Sequence, residues 1–305
     1  MCPTRRTTGP RRRRLATLAV VAIAAGLSSA CGGSGSSAQA GAPSPTGSST
    51  SDPSHPVGII AIGHSGLTGE NTDPAQPGQP VPANSWATGT SPKVGSVYRR
   101  MVASLPETEG HVANAAVGGA PVIDLGAQAQ GALFTVPTPA LVIIQTIDND
   151  IRCDGTDPQN VPVFGASLED TLTSLTHASP ASKILVVGQL GRPSPAYITR
   201  LVAAHPEVKA DLTGTGTGVC DFYDQDGKLN PRSFARLTAI IDAYEAEQAR
   251  VCAHFTQCHT DGGVRATYQD RLGNFTSDFN HLNVRGQAAE AALIWPVVAR
   301  ILGVD

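Results

Sequence analysis

The chain has 305 residues, of which 15% are charged and 5% aromatic, and a formal net charge of −3 at pH 7. Six of its 22 basic residues lie among the first 14 positions, so the remainder sets 16 basic residues against 25 acidic ones, a balance of −9. Such an acidic remainder argues against a nucleic-acid partner.

Residues 1–31 read as an export signal. Arg5, Arg6 and Arg11 to Arg14 form its basic region. The apolar run from Leu15 to Leu27 is short of the roughly 20 residues that a membrane-crossing helix needs. The stretch "LSSAC" then ends in Cys31 and resembles a bacterial lipobox, whose cysteine is lipidated, although Ser28 stands where such motifs usually carry leucine. A lipid anchor on Cys31 at the outer membrane face is therefore expected. Residues 32–55 are rich in Gly, Ser, Pro and Ala and read as a disordered linker, because they cannot bury enough apolar surface to offset the entropy of ordering. Residues 56–305 remain for one folded domain of about 250 residues, without an internal repeat.

Within that domain the elements alternate. Strands are expected at 57–62, 111–117, 140–147, 183–188 and 258–264; helices at 94–105, 122–130, 163–176, 197–204, 232–255 and 287–302. Continuous apolar strands between amphipathic helices predict a parallel sheet covered on both faces, a three-layer α/β/α arrangement. Ligands of such sheets bind beyond the carboxyl ends of the strands. The residues there are Ser65, Gly118-Gly119 and Asp148-Asn149-Asp150.

Four cysteines, Cys153, Cys220, Cys252 and Cys258, fall in the folded part. An even number in an exported chain predicts two disulfides, with three possible pairings. The short loop of "CAHFTQC" favours Cys252–Cys258, leaving Cys153–Cys220. The same stretch holds His254 and His259, but a disulfide is a better reading than zinc in an oxidising compartment. Asp224, Asp226 and Gly227 form a fragment of a calcium-loop pattern without its distal glutamate, and read as a solvated turn. No metal and no cofactor is expected.

Near the carboxyl terminus, "SDFNHLNVRGQ" places Asp278 and His281 three residues apart just before a helix. An acid at that spacing can fix the imidazole tautomer and stabilise its protonated form, and a serine hydroxyl needs such a base to become a nucleophile.

Together these blocks resemble the SGNH or GDSL-type serine hydrolases, in order and across 57–302. "IGHSGLTG" corresponds to the nucleophile block with Ser65, "NAAVGGAPVIDL" to the glycine block with Gly119, "QTIDNDI" to the asparagine block with Asn149, and Asp278-x-x-His281 to the last block. The resemblance implies a flavodoxin-like fold, a triad of Ser65, His281 and Asp278, and an oxyanion hole formed by the Ser65 and Gly119 N–H groups and the Asn149 amide. It also implies an ester substrate, small or polymer-attached. Two departures stand out. His64 replaces the family's aspartate beside the serine, and Ile147 replaces the glycine of the third block. By strand alternation His64 is expected to point away from Ser65 in a structural role. Trp86 reads equally as a lining of the site mouth or as core, and the loop from Gly66 to Pro92 as a wall of the pocket.

The chain is thus expected to be an extracellular, membrane-tethered, monomeric ester hydrolase acting through an acyl-enzyme. The alternatives are a polysaccharide O-deacetylase, an acyltransferase using the same residues, and a surface binding module without turnover.

Overall fold

The computed structural model describes residues 55–215, 218 and 220–304. The expected signal, Cys31 and, apart from His55, the expected linker lie outside the described residues. Five strands, β1 (Ile59–Gly63), β2 (Val112–Asn114), β3 (Leu141–Gln145), β4 (Lys183–Val187) and β5 (Cys258–Thr260), form one sheet. Their spatial order is β2-β1-β3-β4-β5, and all four pairings are parallel. This is the flavodoxin-like order of doubly wound sheets.

The pleat sends alternate strand residues to opposite faces, and the core divides accordingly. Ile60, Ile62, Val142, Ile144, Ile184 and Val186 face α2 (Leu125–Thr135), α3 (Asp157–Ala178) and α5 (Pro231–Cys252). Ile59, Ala61, Leu141, Ile143, Leu185 and Val187 face α1 (Val97–Ser104) and α6 (Val284–Leu302). Both faces of the sheet are therefore dry, which is why β1 and β3 read as unbroken apolar runs. The remaining helix, α4 (Pro195–Ala204), packs with α5 in a satellite cluster that includes Leu201, Phe222 and Leu237.

Element ends depart from the sequence reading for local reasons. Helix α3 starts six residues early, because Pro158 sits in its first turn, where an N–H would be unpaired, and Pro162 forfeits a single bond. Strand β5 stops at Thr260 because Gly262 and Gly263, both at positive φ, turn the chain. Helix α6 begins at Val284 because the Asn283 side chain caps the Arg285 and Gly286 N–H groups. Trp86 is fully buried in the core, and its indole N–H donates to Gln145 Oε1. Both disulfides are present, Cys153–Cys220 and Cys252–Cys258. Asp224 accepts the Lys228 N–H within a tight turn.

Candidate active site

The carboxyl end of β1 is where the chain leaves the sheet. Gly63 has φ +144, and a β-carbon there would come within 1.9 Å of the Gln145 carbonyl oxygen, so only glycine fits. Gln128 of α2 holds this point from both sides: its Oε1 accepts the Gly63 N–H at 2.6 Å and its Nε2 donates to the Gly63 carbonyl at 3.0 Å. Residues Ser65–Leu67 then form a 3-10 turn capped by His64, whose Nδ1 accepts the Gly66 N–H at 3.1 Å. Strand alternation therefore ends before His64. Its ring does not point away from the site; it is 3% exposed and lines the same cleft as Ser65.

Ser65 Oγ lies 2.9 Å from His281 Nε2, and His281 Nδ1 lies 2.7 Å from Asp278 Oδ2. The Asp278 carboxylate is saturated with donors. Its Oδ2 also accepts from Asn71 Nδ2 at 2.6 Å, while Oδ1 accepts from Thr276 Oγ1 at 2.6 Å, Asn280 N at 2.9 Å and His281 N at 3.0 Å. Burial alone would raise this carboxyl, but the bonds from His281, Thr276 and Asn280 outweigh it and hold Asp278 far below the usual carboxylate range. An ionised Asp278 only accepts, so Nδ1 of His281 carries the proton and the Nε2 lone pair faces the Ser65 hydroxyl.

The oxyanion candidates lie around the same serine. Asn149, after β3, lines the cleft and donates one amide N–H to the Ala120 carbonyl at 3.2 Å, which leaves its second N–H for a ligand. Gly119, in the turn after β2, has φ +80 and is exposed. Among the described residues, neither its N–H nor that of Ser65 is engaged. Asp150 instead bonds the Val122 N–H and the Thr146 hydroxyl and pins the turn. Of the Gly66–Pro92 loop, only Gly66 lines the cleft; the rest reaches the site through Asn71.

Two buried polar pairs under the cleft have no counterpart in the sequence reading. His64 Nε2 lies 2.8 Å from Asp148 Oδ2. Because His64 Nδ1 accepts from Gly66, Nε2 carries the proton that faces the carboxylate. Burial pushes Asp148 up, but the facing His64 ring outweighs it, and Asp148 is held well below the usual range. Deeper in, Arg265 pairs with Glu290 at 2.5 Å, both 1% exposed, and also bonds the Gly188 carbonyl. Polar contacts between distant segments leave no periodic signal, and both pairs are of that kind.

Ile147 is strained. Its φ is +92 and its side chain is fully buried, an unfavourable combination for a β-branched residue. It precedes the Asp148-Asn149 turn, at the position where the resembled family has glycine. In urea denaturation Ile147→Ala and Ile147→Gly are both expected to be less stable than the native chain, since removing the buried side chain costs about 2–5 kcal/mol. The usual order of the two is expected to reverse, with Gly more stable than Ala by about 1 kcal/mol, because alanine retains the backbone strain. An alanine variant more stable than the glycine variant would contradict this account.

Asp270, on the cleft wall, has no ion-pair partner among the described residues, and burial pushes its carboxyl up to about 6. A folded-state value above the unfolded value of about 3.8 means that the native state binds the proton more tightly. The penalty is absent below about pH 4 and grows as pH rises through about 6. Asp270→Asn is therefore expected to raise the melting temperature near pH 8 and leave it unchanged near pH 4. An equal shift at both pH values would refute it.

No family model and no curated protein matches the sequence. Solved structures similar to the chain include an extracellular lipase from Streptomyces rimosus, at 17% identity over 80% of this chain and 99% of that one, with a TM-score of 0.48. A phospholipase A1 from Streptomyces albidoflavus matches at 13% identity over 81% and 99%, with a TM-score of 0.46. A carbohydrate esterase family 2 enzyme from Corynascus thermopiles matches at 16% identity over 85% and 69%, with a TM-score of 0.49.

Proposed function

We propose that the chain is an exported serine hydrolase of the SGNH or GDSL type that cleaves carboxylic esters through an acyl-enzyme. The observation that carries this reading is the unbroken relay from Ser65 Oγ to His281 Nε2 and from His281 Nδ1 to Asp278, at 2.9 and 2.7 Å, at the carboxyl ends of a parallel sheet.

In the mechanism, Ser65 Oγ attacks the ester carbonyl carbon while His281 Nε2 takes its proton. The tetrahedral oxyanion lies toward the Ser65 and Gly119 N–H groups and the Asn149 amide, and losing one such donor typically costs about 3–4 kcal/mol of transition-state stabilisation. Collapse breaks the bond to the alkoxide, which leaves as the alcohol with the proton from His281. Water then attacks the acyl-Ser65 carbonyl and gives a proton to His281. The second collapse returns that proton to Ser65 Oγ and releases the acid. Asp278 keeps its charge throughout and stabilises the imidazolium. No step needs a cofactor or metal.

The two disulfides support export, since such bonds persist in oxidising compartments. A lipid tether at Cys31 would hold the domain at the outer membrane face, and no helix among the described residues is long and apolar enough to cross a membrane.

The test is turnover of p-nitrophenyl esters by the native protein and by Ser65→Ala. The expected result is measurable hydrolysis, reduced at least about 10⁴-fold in the variant. Equal turnover by the two proteins would refute the reading.

A further inference from the structure

We propose that an apolar pocket opening from the Ser65 cleft holds the acyl chain, so that the substrate is an ester of a medium-chain or longer fatty acid rather than of acetic acid; this rests on the ester-hydrolase reading above. The pocket is walled by Ile198 and Leu201 of α4, Leu212 of the turn that follows, Phe222, and Leu237 and Ile241 of α5. The Cys153–Cys220 disulfide forms part of its lining. Tyr197, Ile241, Phe279 and Asn280 belong to the walls of both this pocket and the cleft, so the two spaces adjoin beside the His281 loop.

The distribution of polarity indicates which part of the substrate enters. Of the residues common to both spaces, Asp148, Gln189, Tyr197 and Asn280 bring polar groups, which places polarity at the shared mouth. Beyond that mouth the walls are mainly aliphatic and aromatic. Phe279 forms the partition. It sits between Asp278 and His281, is held at φ +54, and rests its ring on His205 with centroids 4.3 Å apart.

The order of chemical events assigns the occupant. The alcohol departs after the first half-reaction and needs an open exit. The acyl group stays bonded to Ser65 until water arrives, so an apolar recess adjoining the cleft serves the part that remains. Leu201, Leu212 and Leu237 line only the adjoining pocket, beyond the reach of an acetyl group, whereas each methylene buried there raises kcat/KM by about fourfold.

The test compares p-nitrophenyl acetate with p-nitrophenyl octanoate on the native protein, Leu237→Phe and Leu212→Trp, the last at a half-buried wall position that tolerates bulk. Native kcat/KM is expected to be at least about tenfold higher for octanoate, and the octanoate-to-acetate ratio to fall at least about tenfold in each filled variant. A native preference for acetate, or a ratio within about twofold of native in the filled variants, overturns the pocket assignment alone. Should both variants fail to fold, calorimetric titration of Ser65→Ala with octanoate decides: saturable binding is expected, and its absence overturns the assignment. If the native protein hydrolyses neither ester and resists a fluorophosphonate, the ester-hydrolase reading falls and the pocket assignment falls with it.

Discussion

Asp278→Asn is expected to lower kcat by about 10⁴-fold while leaving the protein folded. Every neighbour of this carboxylate is a donor, so an asparagine amide must turn its NH₂ toward one of them. Oδ1 faces two backbone N–H groups and a hydroxyl, which cannot move far, so the amide oxygen takes that side. The NH₂ then faces His281 Nδ1 and Asn71. To avoid two opposed donors, His281 must deprotonate Nδ1 and carry its proton on Nε2, where it can no longer accept from Ser65. The loss should fall on kcat, since the imidazole is the base of the chemical step and no substrate contact is removed. The same carboxyl is depressed in the folded state, so its contribution to stability is present above its unfolded value of about 3.8 and fades as the solution becomes more acidic. The variant should lose that dependence along with its activity. An Asp278→Asn protein within tenfold of native kcat would remove the aspartate from the mechanism.

His64→Asp is the second variant with a large expected effect. In the resembled family an aspartate is the ordinary residue at this position, and the sequence alone suggests that it would be tolerated. The structure gives the opposite expectation. His64 does two jobs: it caps the turn that carries Ser65, and its Nε2–H faces Asp148 Oδ2 at 2.8 Å. An aspartate can cap the turn, but it opposes a second carboxylate whose side chain is only 22% exposed. Replacing that donor with a like charge leaves a partly buried carboxylate unsatisfied, which costs about 3 kcal/mol. Asp148 directly precedes Asn149, so the disturbance also reaches the oxyanion candidate. His64→Asp is expected to lower the melting temperature and to cut kcat/KM at least about tenfold. The double variant His64→Asp with Asp148→Asn should recover most of both losses, because the new amide can donate to the new carboxylate. A single variant indistinguishable from native, or a double variant no better than the single one, would contradict the pairing.

How much of this was legible beforehand follows from the kind of signal each feature leaves. The strands β1, β3 and β4 announce themselves as apolar runs because both faces of the sheet are covered. The helices show through three- and four-residue apolar spacing, as at Leu168, Leu172 and Leu175 of α3, which all enter one core. Ser65, Asp278 and His281 could be picked out because their spacing and their places at strand and helix ends are local. His64 could be flagged as a departure but not explained, because its partner, Asp148, lies beyond β2 and β3 in sequence. Asn71, Gln128, Arg265 and Glu290 left no trace at all. Each acts through polar contacts to segments distant in the chain, and no periodicity or motif encodes such a contact. The course of the Gly66–Pro92 loop was not legible for a related reason: a loop rich in Pro, Asn and Gly has no periodicity to show which way it folds, and here it packs Trp86 into the core and brings only Gly66 and Asn71 to the site.

The most direct measurement of the central claim is to treat the native protein with a fluorophosphonate and map the modified residue by mass spectrometry. The expected result is one phosphonyl group per chain, attached to Ser65, with no labelling of Ser65→Ala and strongly slowed labelling of His281→Ala. Absence of label on a folded native protein, or label on any residue other than Ser65, would contradict the assignment of Ser65 as the nucleophile.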